Sequence, residues 1–246
     1  MYSKAIVRDI SPNYLKCIRN NSLPVDLDKA VFQHKAYIKL LKELSLEVIR
    51  LSSLEYPDSC FVEDTAIIHK NNVYFPIMGA VSRRGENSQI IDILKAYKNV
   101  KMGTVQSMEG GDVLHFEDKL ISGVTTRTLL KAITECSNLL NVKIDYVEDS
   151  NIVHLKSYVS KLNEKSILVS KQYQNHEVFR DFEKIIVPEQ EIYASNVLEV
   201  NGQIIMPTNF PETQKLLKQA GFAVHTLETS EIAKCEGALT CLSLLF

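Results

Sequence analysis

Short apolar runs alternate along this chain with longer segments in which apolar residues recur every three or four positions. The short runs are rich in Val, Ile, Leu and Tyr and are bounded by polar residues or glycine, which is typical of β-strands. The longer segments have helical spacing, as in residues 26–44, where Val31, Ile38 and Leu41 share one face. Alternating strands and helices predict an α/β or α+β protein. The predicted strands cover residues 5–7, 46–51, 65–69, 73–76, 113–117, 119–123, 166–170, 184–186, 197–200, 203–206, 223–226 and 238–245, and the predicted helices cover residues 26–44, 86–97, 125–140 and 211–219.

Five stretches of the chain share one form: an acidic or polar opening residue, a short apolar strand, a polar turn and a second apolar strand. Five units of roughly 45 residues, each strand–strand–helix–strand, predict a pseudo-symmetric, five-bladed α/β propeller of ββαβ repeats closed into a ring. The fifth unit lacks a partner strand, which the first strand of the chain can supply, and this closure removes exposed strand edges. No linker-like segment divides the chain, so we expect one domain over residues 1–246. The equivalent positions of the five units are Asp64, Asp112, His154, Val197 and Ala238.

Composition and charge argue against several classes of protein. Apolar residues make up 45% and charged residues 24% of the 246 residues, which is ordinary for a globular protein. The formal net charge is −2 and no basic run occurs, so we expect neither a nucleic-acid partner nor a membrane-surface partner. No apolar stretch approaches the roughly 18 residues of a membrane-spanning helix. The N-terminus reaches Arg8 and Asp9 too soon for a signal peptide, which predicts a cytoplasmic protein.

The cysteines give a further expectation about the compartment. Their number, five, is odd, and no two of them form a CxxC pair. Without an export signal, this pattern predicts reduced thiols, with no disulfide framework and no metal knuckle. The five residues are Cys17, Cys60, Cys136, Cys235 and Cys241.

The opening residues of the repeats carry the candidate chemistry, because a ring of repeats brings such residues near one another at its axis. Among them are a thiol, Cys241, and an imidazole, His154, which can act as a nucleophile and its acid/base partner. The other openers are carboxylates, and buried carboxylates need a cationic partner, which indicates a cationic substrate. Taken singly, each residue has a plainer explanation, since Cys241 could pack in an apolar strand and His154 could be a structural histidine. The ionisable openers are Asp58, Glu63, Asp64, Glu109, Asp112, His154, Glu236 and Cys241.

Six short motifs hold these residues in a fixed order. They are PDSCFVED at residues 57–64, SRR at 82–84, EGGDVL at 109–114, GVTTRT at 123–128, HLKS at 154–157 and EGALTC at 236–241. In this order and spacing, the chain resembles the dimethylarginine dimethylaminohydrolases of the guanidino-group-modifying (pentein) superfamily. The resemblance also implies the five-bladed α/β propeller, a single catalytic domain, and a reaction that needs no cofactor and no metal.

The resemblance implies a catalytic set of three residues. Cys241 is the nucleophile, His154 is the general acid/base, and Glu109 is the carboxylate that orients the guanidinium and water near His154. A guanidinium is permanently protonated and a poor electrophile, which calls for a thiolate nucleophile. The amine that leaves must receive a proton. The implied reaction converts asymmetric dimethylarginine or monomethylarginine to L-citrulline and (di)methylamine through a covalent S-alkylthiouronium intermediate.

The same resemblance implies how the rest of the substrate is bound. The implied residues are Asp58 for the α-amine, Glu63 and Asp64 for the guanidinium, Arg83 and Arg127 for the α-carboxylate, Ile18 from a lid loop, and Glu236 near the thiol. The chain departs from the family pattern at Glu236, where the dimethylarginine enzymes usually carry Asp. It also has Glu109 where the animal members carry Asp and bacterial relatives carry Glu.

Two other functions compete with this interpretation. Arginine deiminases of the same superfamily, which act on free arginine, tend to carry Leu-Asp after the catalytic histidine, whereas here Leu155 and Lys156 follow His154. Without that second acid, one nitrogen of the guanidinium has no carboxylate to accept its N–H groups. This favours a methylated nitrogen, which has fewer N–H groups to donate. A non-catalytic ring protein would need both Cys241 and His154 to be accidental. We expect a small-molecule guanidino amino acid as the partner, and an exposed helix face could support a homodimer.

Overall fold

A computed structural model describes the whole chain, residues 1–246, as fifteen β-strands and five α-helices. The strands are β1 (Lys4–Arg8), β2 (Glu47–Leu51), β3 (Ile67–His69), β4 (Asn72–Ile77), β5 (Asn99–Ser107), β6 (Val113–His115), β7 (Lys119–Val124), β8 (Lys143–Glu148), β9 (Val159–Lys161), β10 (Ser166–Ser170), β11 (Glu183–Val187), β12 (Leu198–Val200), β13 (Gln203–Pro207), β14 (Ala223–Leu227) and β15 (Leu244–Leu245). The helices are α1 (Leu27–Glu43), α2 (Ser88–Leu94), α3 (Leu130–Leu140), α4 (Pro211–Gln219) and α5 (Ser230–Lys234). None of the helices combines the length and the apolar character needed to cross a lipid bilayer.

The strands form five three-stranded sheets that share one plan. In each sheet two strands pair antiparallel and a third strand lies parallel to one of them, as when β3 pairs with β4 and β5 runs parallel to β4. A parallel third strand needs a crossover connection, which an α-helix supplies in four of the sheets. In the sheet β9–β10–β11 the connection contains only a short 3-10 turn, Glu177–Phe179. The predicted ββαβ repeat is therefore confirmed in four sheets and modified in one.

The two ends of the chain share a sheet, as the repeat pattern predicted. Strand β1 lies between β15 and β2, with Ala5 opposite Leu245. The strand predicted over residues 238–245 is wrong for most of its length, because Thr240–Leu242 is a 3-10 turn and β15 has only two residues. The apolar character of this segment comes from burial, since Leu239 and Leu242 belong to a hydrophobic core.

The chain divides into two compact units. The central unit is Glu63–Asn196, and the terminal unit combines Met1–Val62 with Val197–Phe246. The expectation of one domain over the whole chain stays a prediction.

The terminal unit has one hydrophobic core. Helix α1 begins after Asp26, whose side chain accepts a hydrogen bond from the Lys29 N–H and so satisfies one of the donors at the helix N-terminus. The buried face of α1, which includes Tyr37 and Leu41, belongs to the same core as Ala5 of β1. This packing fixes the backbone from which the segment before α1 extends.

The central unit contains two hydrophobic cores. In one core, Ile133 of α3 clusters with Tyr74 of β4 and Leu120 of β7. In the other, Leu155 clusters with Ile167 of β10. The opening residues of the repeats stand at 3-10 turns next to these cores, so their backbones are held in place by packing. These turns are Val62–Thr65, Gly110–Asp112 and Leu155–Ser157.

Two strands, β5 and β8, follow helices and were not predicted from the apolar runs. Both carry many half-exposed or exposed residues, as in Lys143 and Glu148 at the ends of β8. Each is held by its register with a buried neighbour, β8 lying parallel to β7. Their strand conformation is therefore set by pairing rather than by an apolar pattern.

The expectation that all five cysteines are reduced is wrong. Cys17 and Cys235 form a disulfide in the terminal unit, although 218 positions separate them in sequence. Both residues are buried in the core of that unit, which brings them together without any motif of fixed spacing. Cys60, Cys136 and Cys241 form no disulfide.

Candidate active site

Three ionisable openers converge in the central unit. His154 Nε2 lies 2.8 Å from Glu109 Oε2 and 3.7 Å from Asp64 Oδ1. Glu109 and Asp64 are buried, and the side chain of His154 retains 14% exposure. The fold therefore joins an imidazole to two carboxylates, with a small opening at the imidazole.

Two glycines allow this close approach. A Cβ on Gly111 would lie 2.7 Å from Asp64 Oδ1 and 2.8 Å from His154 Nδ1. A Cβ on Gly110 would lie 2.0 Å from the carbonyl oxygen of Glu63. A real Cβ does not come this close to other atoms, so the EGGD motif needs glycine at both positions.

Arg83 holds Asp64 from the other side. Its Nη1 donates to Asp64 Oδ2 at 2.6 Å, and its Nη2 donates to Glu86 Oε2 at 2.9 Å. The N–H of Gly111 donates to Asp64 Oδ1 at 3.0 Å. The guanidinium of Arg83 is thus buried between two acids, as a buried cation requires. Its proposed role at the substrate α-carboxylate stays a prediction.

Asp112 links two loops of the central unit and had no role assigned from the sequence. Its carboxylate accepts hydrogen bonds from the hydroxyls of Thr125 and Thr128 and from the N–H of Leu155. Burial raises the pKa of Asp112 to about 6, although the charge of His154 and these donors act to lower it. Asp112 therefore fixes the turn that carries His154.

The charges of the cluster favour a protonated imidazole. Burial alone would lower the pKa of His154, but the charge of Asp64, the hydrogen bond to Glu109 and the charge of Asp112 raise this pKa to about 9. Burial also tends to raise the pKa of both Asp64 and Glu109, yet the neighbouring cations, His154 among them, hold each below its usual value. At neutral pH the site holds an imidazolium between two carboxylates.

Arg127 lies at the edge of the same cluster. Its Nη1 is 3.9 Å from Glu109 Oε1, and its side chain is 20% exposed. The other contacts of Glu109 Oε1 include the N–H of Ala80 at 3.0 Å. Gly79 packs on the backbone of Arg127, where a Cβ would lie 2.7 Å from the carbonyl oxygen. A cation with solvent access therefore stands beside a buried, oriented carboxylate.

Glu63 is adjacent to Asp64 in sequence but has a different cation as its partner. Lys156 Nζ donates to Glu63 Oε1 at 2.6 Å, and both side chains are nearly buried. The sequence analysis assigned Glu63 to the guanidinium and did not foresee this ion pair. That assignment stays a prediction.

In the terminal unit, the predicted lid segment is fixed to Asp58. The N–H of Ile18 donates to Asp58 Oδ1 at 3.1 Å and faces Oδ2 at 3.3 Å. Asp58 is buried, whereas Ile18 is 38% exposed. The structure thus brings the predicted lid residue Ile18 to Asp58, the residue predicted to bind the substrate α-amine.

The same segment is also held at Glu236. The N–H of Asn20 donates to Glu236 Oε1 at 2.6 Å, and the Asn21 side chain donates to the carbonyl of Lys234 at 3.1 Å. The disulfide Cys17–Cys235 joins the same two stretches covalently. Glu236 is therefore placed to order the lid segment.

Cys241 lies in the 3-10 turn Thr240–Leu242 of the terminal unit. It is half-buried and carries a reduced thiol. Of the predicted site residues, six gather in the central unit and four belong to the terminal unit. The six are Glu63, Asp64, Arg83, Glu109, Arg127 and His154, and the four are Ile18, Asp58, Glu236 and Cys241.

The ligand atoms of Asp64, Glu109 and His154 lie within 4.8 Å of one another, a spacing that a divalent cation could use. The same two carboxylates can accept the N–H groups of a planar organic cation. The expectation that the reaction needs neither metal nor cofactor stays a prediction.

The five-repeat α/β fold and the histidine–carboxylate cluster define an enzyme of the guanidino-group-modifying class. The family model described as "N,N dimethylarginine dimethylhydrolase, eukaryotic" matches residues 13–241. The chain belongs to the dimethylarginine dimethylaminohydrolase family.

Individual relatives agree with this assignment. The N(G),N(G)-dimethylarginine dimethylaminohydrolase of Pseudomonas aeruginosa is 30% identical over 228 residues, which cover 90% of each chain. A solved structure of the Pseudomonas aeruginosa enzyme, a cysteine-to-serine variant complexed with citrulline, matches with a TM-score of 0.97 and 28% identity over 100% of both chains. A histidine-to-glycine variant of a dimethylarginine dimethylaminohydrolase, bound as an adduct with S-methyl-L-thiocitrulline, matches with a TM-score of 0.96, 28% identity and the same coverage. The predicted family and fold class are confirmed.

Proposed function

We propose that this chain hydrolyses asymmetric dimethylarginine and monomethylarginine to L-citrulline and (di)methylamine, with Cys241 as the nucleophile. The observation that carries the proposal is the buried imidazolium of His154 between Glu109 and Asp64, in a chain of this family. Such a group can donate a proton to an amine that cannot leave without one. The related structures with citrulline and with a thiocitrulline adduct support the same product and a covalent route.

Binding of the guanidinium uses the two carboxylates beside the imidazole. Asp64 and Glu109 each keep hydrogen-bond partners that fix their planes, Arg83 for Asp64 and the Ala80 N–H for Glu109. Fixed carboxylates can accept the in-plane N–H groups of a guanidinium and hold its carbon for perpendicular attack. Because folding already orders the two carboxylates, they need no reorganisation in each turnover.

The first chemical step forms a bond between Cys241 Sγ and the guanidinium carbon. Cys241 reacts as the thiolate, having lost its proton to solvent before the attack, and a bound cation together with the His154 imidazolium favours this form. The tetrahedral adduct then breaks its bond to the methylated nitrogen, which takes a proton from His154 and leaves as (di)methylamine. An S-alkylthiouronium on Cys241 remains.

The second step adds water to that intermediate. His154, now neutral, accepts a proton from water, and the resulting hydroxide attacks the same carbon. Collapse of this adduct breaks the C–S bond and releases the thiolate of Cys241 and L-citrulline, while the proton of the added hydroxyl passes to solvent, where the departed (di)methylamine takes it up. His154 is again an imidazolium, so each turnover consumes one substrate and one water.

The amino-acid end of the substrate has its own proposed contacts. Asp58, held by the N–H of Ile18, would receive the α-amine. Arg127, with its partly exposed guanidinium, would receive the α-carboxylate, and Arg83 would support it. These contacts are remote from the reacting carbon, so their loss should mainly raise KM.

Citrulline production from asymmetric dimethylarginine, monomethylarginine and arginine, measured side by side, tests the function. We expect citrulline from both methylated substrates and little from arginine. Citrulline from arginine alone would support the alternative, an arginine deiminase-like hydrolase that acts on free arginine or a related guanidine. No citrulline from any of the three would overturn the hydrolase proposal.

Cys241→Ser tests the assigned nucleophile. We expect it to abolish turnover while the thermal unfolding midpoint stays close to that of the wild type. Cys136→Ala is the matched control, because burial raises the pKa of the Cys136 thiol well above its usual value and keeps it protonated. Activity that survives in Cys241→Ser would show that Cys241 is not the nucleophile.

A cytoplasmic location and a homodimeric state are further proposals, the second of them supported by exposed apolar surface on α1 at Phe32. Sedimentation and cell fractionation would test them.

A further inference from the structure

We propose that Asp112 is a positioning residue for two groups at once: the catalytic carboxylate of Glu109 and the substrate-binding cation of Arg127. The inference rests on the proposed function and deepens it, because it concerns how the groups for the two ends of the substrate are held relative to each other. Asp112 is fully buried at the end of the turn Gly110–Asp112. A buried carboxylate must find its hydrogen-bond donors inside the protein.

The carboxylate of Asp112 has three such donors and one fixed position. Its Oδ2 accepts from the hydroxyl of Thr125 at 2.9 Å and from the hydroxyl of Thr128 at 2.6 Å. Its Oδ1 accepts from the N–H of Leu155 at 2.8 Å. Gly123 packs against the same oxygen, since a Cβ there would lie 2.6 Å from Oδ1. The carboxylate therefore has little room to move.

Thr128 extends this contact to the catalytic carboxylate. Its hydroxyl donates to Asp112, and the same oxygen accepts from the backbone N–H of Glu109 at 3.1 Å. The side chain of Glu109 in turn lies 2.8 Å from Nε2 of His154. A shift of Asp112 therefore moves the backbone that carries the partner of the imidazolium.

Thr125 makes the equivalent contact to the substrate-binding cation. Its hydroxyl donates to Asp112, and the same oxygen accepts from the backbone N–H of Arg127 at 3.1 Å. The N–H of Thr125 donates to the carbonyl of Thr128 at 2.9 Å, which closes the turn around Arg127. The guanidinium of Arg127 lies 3.9 Å from Glu109 Oε1. One buried carboxylate thus holds both residues through two matched threonines.

This arrangement requires a carboxylate at residue 112. A hydroxyl hydrogen rotates until an acceptor fixes it, and Asp112 fixes both threonine hydroxyls so that their lone pairs face the backbone N–H groups. An amide carries two donors on one of its ends. Turned one way, this end would face the two hydroxyls, and turned the other way it would face the N–H of Leu155.

Asp112→Asn should therefore affect both kinetic parameters. We expect kcat for asymmetric dimethylarginine to fall about 100-fold, because Glu109 loses its position, and KM to rise about tenfold, because Arg127 loses its position. Citrulline production over a range of substrate concentrations measures both values.

The two threonines should separate these effects. In Thr128→Val we expect kcat to fall about tenfold with KM within about threefold of the wild type, because the N–H of Glu109 loses its acceptor. In Thr125→Val we expect KM to rise about tenfold with kcat within about threefold, because the N–H of Arg127 loses its acceptor. Thr128→Ser and Thr125→Ser keep the hydroxyl and should restore each value to within about threefold.

A double variant tests whether Asp112 acts through Thr125. If it does, the KM of Asp112→Asn combined with Thr125→Val should exceed the larger single effect by no more than about threefold. Independent roles would multiply the two effects to a rise of about 100-fold, and this result would overturn the proposal.

Thr134→Val is the matched control, because the Thr134 hydroxyl donates to the carbonyl of Leu130 on an exposed part of α3. It should leave kcat and KM unchanged. If both threonine-to-valine variants lower kcat and raise KM together, in proportion to their loss of thermal stability, the role of the network is only structural and the proposal is overturned.

The threonine variants and their serine counterparts decide the question if Asp112→Asn does not fold. Valine variants with wild-type kinetics would also overturn the proposal. Wild-type protein that makes no citrulline from any substrate would instead contradict the proposed function.

Discussion

The candidate site residues of the two units are held in place by different means. In the central unit, Asp64, Glu109 and His154 are fixed by buried ion pairs and by glycines that admit no side chain. In the terminal unit, the segment with Ile18 is fixed by backbone hydrogen bonds to carboxylates and by the disulfide Cys17–Cys235.

The difference matches the tasks proposed for the two groups. Proton transfer and guanidinium binding need charges at fixed distances, and buried ion pairs provide both the charge and the position. Capture of the substrate amine needs a segment that contacts a small polar group, for which hydrogen bonds to a partly exposed loop suffice. Changes in the central cluster should therefore lower kcat, whereas changes around the loop should raise KM.

Among changes in the central unit, Glu109→Gln should lower the activity most strongly. The neutral amide no longer stabilises the His154 imidazolium, so we expect kcat to fall about 1,000-fold. The pH at which activity declines on the alkaline side should also move down from about 9, because His154 must be protonated to donate. A pH profile of kcat checks both effects.

The stability of Glu109→Gln should show the same change. The pKa of His154 is raised from 6.5 to about 9, so its contribution to the free energy of unfolding is fully present below pH 6.5 and is lost as the pH rises through about 9. Urea denaturation at several pH values should show this loss in the wild type and a smaller one in the variant. Glu135→Gln, which changes a hydrogen-bonded acid on α3, is the control and should keep its activity.

Gly111→Ala should lower kcat by about 100-fold with little change in KM. The added Cβ would meet Asp64 and His154, and Arg83 and Glu109 hold those side chains, so the cluster must shift. Gly221→Ala is the control, since Gly221 has a φ of +89° and a Cβ added there would have no other atom within 4 Å. The control should lose about 1 kcal/mol of stability and no activity. Equal activity in the two variants would contradict the close packing of the cluster.

Cys17→Ser should give the smallest effect on turnover. Loss of a disulfide that closes a long loop should lower the free energy of unfolding by about 2–4 kcal/mol. Asp58 and Glu236 still hold the segment through hydrogen bonds, so we expect KM to rise less than about tenfold while kcat stays within about twofold. Kinetics with and without reductant, with the Cys235→Ser variant in parallel, measure the effect. A large fall in kcat would show that the loop acts in the chemistry as well.

The repeat and the motifs predicted much of the fold, because both are local in sequence. Openers such as Asp64, Asp112 and His154 could be placed together once the repeat was recognised, since equivalent positions of a repeat occupy equivalent places. Two of the third strands, β5 and β8, escaped prediction because their conformation comes from pairing with β4 and β7 rather than from apolar residues.

Partners distant in sequence could not be predicted. The pairs Cys17–Cys235 and Glu63–Lys156 have no fixed spacing, and only the packed structure shows them. The HLKS motif has Lys156 at the position where deiminases carry Asp, but the motif does not show which carboxylate pairs with Lys156. The burial that raises the pKa of Asp112 is likewise invisible in the sequence.

Trapping of the covalent intermediate tests the central claim most directly. The protein is mixed with asymmetric dimethylarginine, quenched in acid, reduced, digested with trypsin and analysed by fragmentation mass spectrometry. The peptide after Lys234 contains both Cys235 and Cys241, so the fragments must locate the modification. We predict a thiouronium adduct on Cys241 that disappears in Cys241→Ser. Substrate turnover with an adduct on another cysteine, or with none in any quenched sample, would contradict the account.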